Sequence, residues 1–199
     1  MIFIDGSNFY HGLREEFEIK KEEAHKVPTM DFSKFANFLC GGTRKLEKIY
    51  YYNAPLSQND KDKESYKEQQ RFFNSLKFVP NLIFTKGRLE KRYIKIEHKG
   101  MAKIFGKESV SFYVEKGIDV NIAVDMLKLA FTNQYDTAIL VSGDGDFASV
   151  VEAVKSLGKK VECAYVSKRK CYHLRQVANN FISLDKNNLT PCLVSGWSK

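Results

Sequence analysis

Nothing in this chain of 199 residues approaches the roughly 18 consecutive apolar residues of a membrane-spanning helix. The opening, MIFIDGSN, has neither a basic leader nor a long apolar core, which argues against a secretory signal. Cysteine is sparse: Cys40, Cys163, Cys171 and Cys192 are scattered without a C-x-x-C pair. Cys171-Tyr172-His173 is the nearest approach to a metal motif, and it lacks a second half. Reduced thiols in a cytoplasmic setting are therefore expected, not a disulfide scaffold. Also missing are a P-loop, a G-x-S-x-G turn, an H-E-x-x-H helix, any internal repeat and any low-complexity tract.

What is present is a soluble, globular composition, 43% hydrophobic and 28% charged, of a length that suits one domain with a sizeable core. Acids are outnumbered, leaving a net charge of +8. The excess is local. Lys86, Arg88, Lys91, Arg92, Lys95, Lys99, Lys103 and Lys107 are opposed in their stretch only by Glu90 and Glu97. Lys168, Arg169, Lys170 and Arg175 form a second cluster. Such patches either attract polyanions or are ordinary solvated faces.

Short apolar strands alternate with helical patterns, the mark of an α/β fold with a mostly parallel sheet flanked by helices. Strands are expected at 2–4, 48–52, 82–84, 137–141, 161–166 and 181–184. Helices are expected around 9–17, at 32–39 with Asp31 as N-cap, at 60–76, 118–131 and 147–156, and near 171–179. The region from about 86 to 115 breaks the rhythm: RYIKIEH and SVSFYVE alternate polar and apolar residues. It reads as an antiparallel hairpin or flap added to the sheet. One domain over 1–185 and a C-terminal tail over 186–199 with little pattern complete the organisation.

In open parallel sheets, ligands bind beyond the carboxyl ends of the strands. Two expected strands end in acid there: Ile2-Phe3-Ile4 runs into Asp5, and Ile139-Leu140-Val141 runs into Ser142-Gly143-Asp144-Gly145-Asp146. A third acid, Asp119, falls in the first turn of a helix that is apolar almost all round and so should be buried. Asp125 lies about 240° further round the same helix and reads as structural. Two carboxylates about 6 Å apart repel by roughly 3 kcal/mol at an effective dielectric of ~20. A hard, oxygen-ligated divalent ion, Mg²⁺ or Mn²⁺, relieves that repulsion and also binds phosphate. Taken singly, Asp5, Asp144 and Asp146 also suit turns and helix caps, and Asp119 a helix dipole.

Gly143-Asp144-Gly145-Asp146-Phe147-Ala148 formally fits G-x-G-x-x-A, with Glu162 about twenty residues on where a dinucleotide fold keeps its ribose acid. Aspartates at both variable positions would face a pyrophosphate with negative charge, which argues against it. A phosphatase of the haloacid dehalogenase type needs an acid two residues after its nucleophilic Asp; here Asp5 is followed by Gly6-Ser7.

FIDGSNFY, EKGIDVNIAVDMLKLA and ILVSGDGDFASVV, in that order and spacing, resemble the NYN domain family, LabA-like branch, of the PIN-like nucleases. The resemblance spans roughly residues 1–185. It implies a Rossmann-like (PIN-like) sheet, an acidic Mg²⁺- or Mn²⁺-binding pocket, and cleavage of RNA that leaves a 5′-phosphate and a 3′-hydroxyl. Carried over by motif, Asp5, Asp119, Asp144 and Asp146 would hold the metal. Asn8 would steady the metal, its water or the scissile phosphate, and Lys116 would contact phosphate. The basic arm, with Lys86, Arg88 and Arg92 among its cations and Tyr93 and Phe105 interleaved, would hold single-stranded RNA. PIN-like folds often pair, so a homodimer is a further expectation. A non-catalytic RNA-binding adaptor and a metal-dependent phosphomonoesterase are the alternatives.

Overall fold

The computed structural model describes residues 1–20, 23, 27–56, 63–95, 109–166 and 171–194, with backbone alone at 63, 92–95 and 109–113. Six strands, β1 (Ile2–Asp5), β2 (Ile49–Asn53), β3 (Leu82–Lys86), β6 (Thr137–Val141), β7 (Lys160–Val166) and β8 (Asn180–Leu184), form one sheet in the order β3-β2-β1-β6-β7-β8. Every pairing in it is parallel. All four residues of β1 are buried, as expected of a central strand covered on both faces.

Alternation along the strands divides the core in two. Ile2, Ile4 and Tyr51 face a cluster with Phe9 and Leu13 of α1 (Gly6–Glu16) and Phe35 and Leu39 of α2 (Phe32–Cys40). Phe73 of α3 (Lys63–Ser75) joins that layer. Phe3, Tyr50 and Tyr52 face the opposite cluster, with Ile122 and Met126 of α4 (Ile118–Phe131), Val151 and Val154 of α5 (Ala148–Ser156) and Leu174 of α6 (Tyr172–Val177). Asp31 caps α2 by accepting from Ser33 N and Lys34 N, as the sequence suggests. The four cysteines are buried free thiols. Among the described residues, no helix is long and apolar enough to cross a membrane.

Three features depart from the sequence reading. β4 (Arg88–Lys95) and β5 (Ser109–Lys116) pair antiparallel as expected, but as a separate two-stranded ribbon and not as additions to the sheet. The reason lies at Gly87: its N–H closes onto Asn53 O at the end of β2, and the chain then runs past the sheet's carboxyl edge. Residues 96–108 of the expected flap, Phe105 among them, lie outside the described residues. Next, α4 is not buried all round. Ile118, Ile122, Met126 and Ala130 face the sheet, whereas Val120, Val124 and Phe131 are 64%, 54% and 80% exposed. A helix in an outer layer has only one covered face, and its composition alone does not reveal that.

The third departure is the segment after β8. Asp185 caps α7 (Lys186–Leu189) in a reciprocal box with Asn188. Leu189, Cys192 and Leu193 are buried beside Met30, and Asp31 N donates to Cys192 O at 2.9 Å.

Candidate active site

The sheet order brings β1 and β6 together as parallel neighbours, Ile4 opposite Val141. From β1 the chain winds outward through β2 to β3; from β6 it winds the other way through β7 to β8. Their shared carboxyl edge is therefore the topological switch point, where doubly wound sheets open a crevice.

Asp5 ends β1 and is also the N-cap of α1, its Oδ1 accepting from Asn8 N at 3.0 Å. The helix begins earlier than its apolar pattern suggests, because Gly6 lets it pack directly on β2. A Cβ at Gly6 would lie 2.6 Å from Tyr52 O and 2.6 Å from Tyr51 Cζ. This start carries Asn8 to the β6 loop, where its Oδ1 accepts from Gly143 N at 3.1 Å. Ser142, also buried, donates its hydroxyl to Asp5 Oδ2 at 3.1 Å and accepts from Asp144 N at 3.1 Å. Asp144 then caps the short turn Gly145–Phe147, its Oδ1 accepting from Asp146 N at 3.0 Å. The capping roles that each aspartate could fill alone are thus real, and they coexist with a continuous network around one crevice.

Electrostatics ties the remaining acids to this network. Burial, with added repulsion from Asp119 and Asp144, raises the Asp5 pKa to about 6 against the pull of its two hydrogen bonds. Asp119, in the first turn of α4, is raised by partial burial and then by Asp144 and Asp146. A further acid was missed in sequence. Glu115, near the end of β5, is raised by crowding of its surroundings and then by Asp5 and Asp119, while a side-chain hydrogen bond with Ser7 opposes the shift. The strand alternation of SVSFYVEK shows that Glu115 has a face, but not that this face meets the crevice.

The cations divide. Lys116 and Arg88 are cross-strand partners at the foot of the ribbon, three residues before Asp119. Lys86 ends the edge strand β3, opposite Asn53, and its Nζ sits 5.9 Å from the centre of the Phe84 ring. Arg92 pairs through its backbone with Phe112; its side chain lies outside the described residues, as do Lys168, Arg169 and Lys170. Asp125 accepts from Tyr52 OH at 2.8 Å, a structural contact on the α4 flank. Glu162 Oε1 takes Arg44 Nη1 at 2.8 Å, which occupies the acid a dinucleotide site would need.

The donor set suits a hard cation: all carboxylate oxygens, with Asp5 buried and pressed by the neighbouring acids Asp119 and Asp144. Among the described residues, however, no three acidic, His or Cys side chains stand close enough to enclose an ion as placed.

The family model for the NYN domain matches residues 1–185. This chain belongs to the NYN domain family. The family comprises nuclease-like domains, and the PIN-like α/β sheet with its acidic switch point agrees with membership. The fold is similar to the crystal structure of a protein of unknown function from Vibrio parahaemolyticus, at a TM-score of 0.58 and 24% identity over 97% of this chain and 94% of that one. No curated protein matches the chain significantly. In this NYN domain, Asp5, Asn8, Ser142, Asp144 and Asp146 are linked directly or through one another by hydrogen bonds, while Asp119 and Glu115 join through space.

Proposed function

We propose that this NYN domain, in a LabA-like variant, is a metal-dependent endoribonuclease working in a cytoplasmic setting. The observation that supports the reading is the pressure of Asp119 and Asp144 on the buried Asp5 carboxyl, and of Asp144 and Asp146 on Asp119, at one switch point. Asp5, Asp119, Asp144 and Asp146 would hold Mg²⁺ or Mn²⁺. Such an ion, when bound, lowers the pKa of a coordinated water and stabilises charge on phosphoryl oxygens.

The chain's own contribution is preorganisation. Asn8 N and the Ser142 hydroxyl orient both oxygens of Asp5, fixing its carboxylate plane before substrate arrives. Asn8, held by Gly143 N, keeps its amide nitrogen as a donor for a phosphoryl oxygen. Lys116 and Arg88, side by side at the ribbon's foot, attract the phosphate backbone.

The test is cleavage of labelled single-stranded RNA with Mn²⁺ or Mg²⁺, beside EDTA and the Asp144→Asn variant. Metal-dependent cutting, lost in a folded variant, supports the nuclease. A second reading, an RNA-binding adaptor, rests on the paired cations Arg88 and Lys116 at the ribbon's foot. That reading takes over if folded protein binds RNA and cuts none with either metal.

A further inference from the structure

The flank of the crevice toward β7 and β8 carries two outward rings that the carboxylate chemistry does not use. α6 is anchored by Cys171 and Leu174, 4% and 0% exposed. The residues between them, Tyr172 and His173, face solvent, Tyr172 at 69%. Their rings meet edge to face, with centroids 5.7 Å apart and planes at 82°. The His173 ring in turn lies on Gly145: a Cβ there would sit 3.1 Å from His173 Cδ2. Gly145 separates Asp144 from Asp146, so the ring pair abuts the acid loop itself.

A scattered exposed aromatic needs no explanation; one braced by a second ring against the acid loop is different. One turn further along, Arg175 donates to Tyr165 OH at 2.7 Å and stands 5.7 Å from the Tyr165 ring centre. That fixes a positive charge on the same short helix. An open aromatic face, a braced imidazole and a fixed cation beside a phosphate-competent pocket match the needs of an unpaired nucleotide: a surface for its base and compensation for its phosphate.

We propose that Tyr172 and His173 form a stacking platform for one unpaired base flanking the scissile phosphate of the RNA. A base within a duplex is stacked on its neighbours and cannot reach such a platform. The inference rests on the nuclease reading above and extends it to a flank of the site distant from the ribbon.

The experiment is fluorescence-anisotropy titration of a short labelled single-stranded RNA in EDTA, so that binding is read without cleavage. Tyr172→Ala is expected to weaken binding about 5- to 150-fold, the range carried by one base–aromatic stack. Tyr172→Phe keeps the ring and is expected to bind within about twofold of the parent. A single abasic position walked along the RNA should reproduce the loss at one place and add nothing further in Tyr172→Ala. Parent-like binding by Tyr172→Ala, or abasic losses that add in full to the variant, overturns the platform and leaves the nuclease reading standing. A parent protein that binds no RNA and cuts none overturns both.

Discussion

The hydroxyl of Ser142 reaches Asp5 Oδ2 at 3.1 Å, spanning 137 residues of chain and joining the ends of the two central strands. Ser142 Oγ also accepts from Asp144 N, so one side chain aligns acids from both halves of the sheet.

Asp5 makes the stability of the metal-free protein depend on pH. Its folded pKa, about 6, lies above the ordinary value of about 3.9. Between these values the native state holds more protons than the unfolded chain, so stability falls as pH rises through the window. Asp5→Asn removes the ionisation while Ser142 Oγ can still accept from the new amide. The variant should gain up to about 3 kcal/mol over the parent at pH 8 and nothing below about pH 4. Urea unfolding at both pH values in EDTA checks this; an equal difference at the two would reject it.

Divalent cation should reverse that penalty in the parent. An ion bound only by the native state stabilises it by about 2.7 kcal/mol at a hundred times its Kd. Melting temperature is expected to rise with Mn²⁺ or Mg²⁺ in the parent, and to rise much less in Asp5→Asn or Asp144→Asn. Equal shifts in all three would place cation binding away from the crevice.

Gly6 and Gly145 should differ in tolerance. A methyl at Gly6 meets the backbone oxygen of Tyr52 at 2.6 Å, which cannot yield without moving β2. Gly6→Ala is expected to cost about 3 kcal/mol, the upper part of the range for overpacking. At Gly145 the neighbour is the exposed His173 side chain at 3.1 Å, where a shift of a few tenths of an ångström relieves the contact, so Gly145→Ala should cost under about 1 kcal/mol. Denaturant midpoints of the two variants provide the comparison.

Tyr52→Phe separates structure from chemistry. It removes the 2.8 Å hydrogen bond to Asp125 and is expected to lower stability by about 1–3 kcal/mol. Cation affinity by calorimetry should stay with the parent; a parallel loss of affinity would bring Asp125 into the site.

Much of this architecture was readable from residue pattern. The helix 118–131 and the strand 137–141 agree with the structure to the residue, because each is a sustained run bounded by turn chemistry such as Lys116-Gly117. The acids at strand ends were legible too, since Asp5 closes one buried β run and Asp144 comes three residues after the end of another. What stayed hidden depends on contacts distant in sequence. Glu115 nears Asp5 only through the ribbon's placement, and His173 meets Gly145 across 28 residues of chain. The open side of α4 escaped for a related reason: Val120 and Val124 are apolar in any environment, and only the surrounding layers decide whether they are covered. Leu189 and Cys192 belong to a stretch with too few apolar residues to show a period, yet they pack beside Met30.

The ribbon enters and leaves the fold at a single place. Arg88 faces Lys116, and Gly87 and Gly117 stand together just below that rung, at the ribbon's base. A segment whose two ends meet on adjacent positions behaves as a detachable module: its length and contents can change without asking the sheet to move. A chain in which Glu90 is joined to Val114, its ladder partner, by a two-residue Asn-Gly turn would keep Leu89, Glu115 and Lys116 at the crevice. Everything beyond the Glu90–Val114 rung is then open to exchange, by lengthening or trading this one attachment, while the acid edge remains as it is.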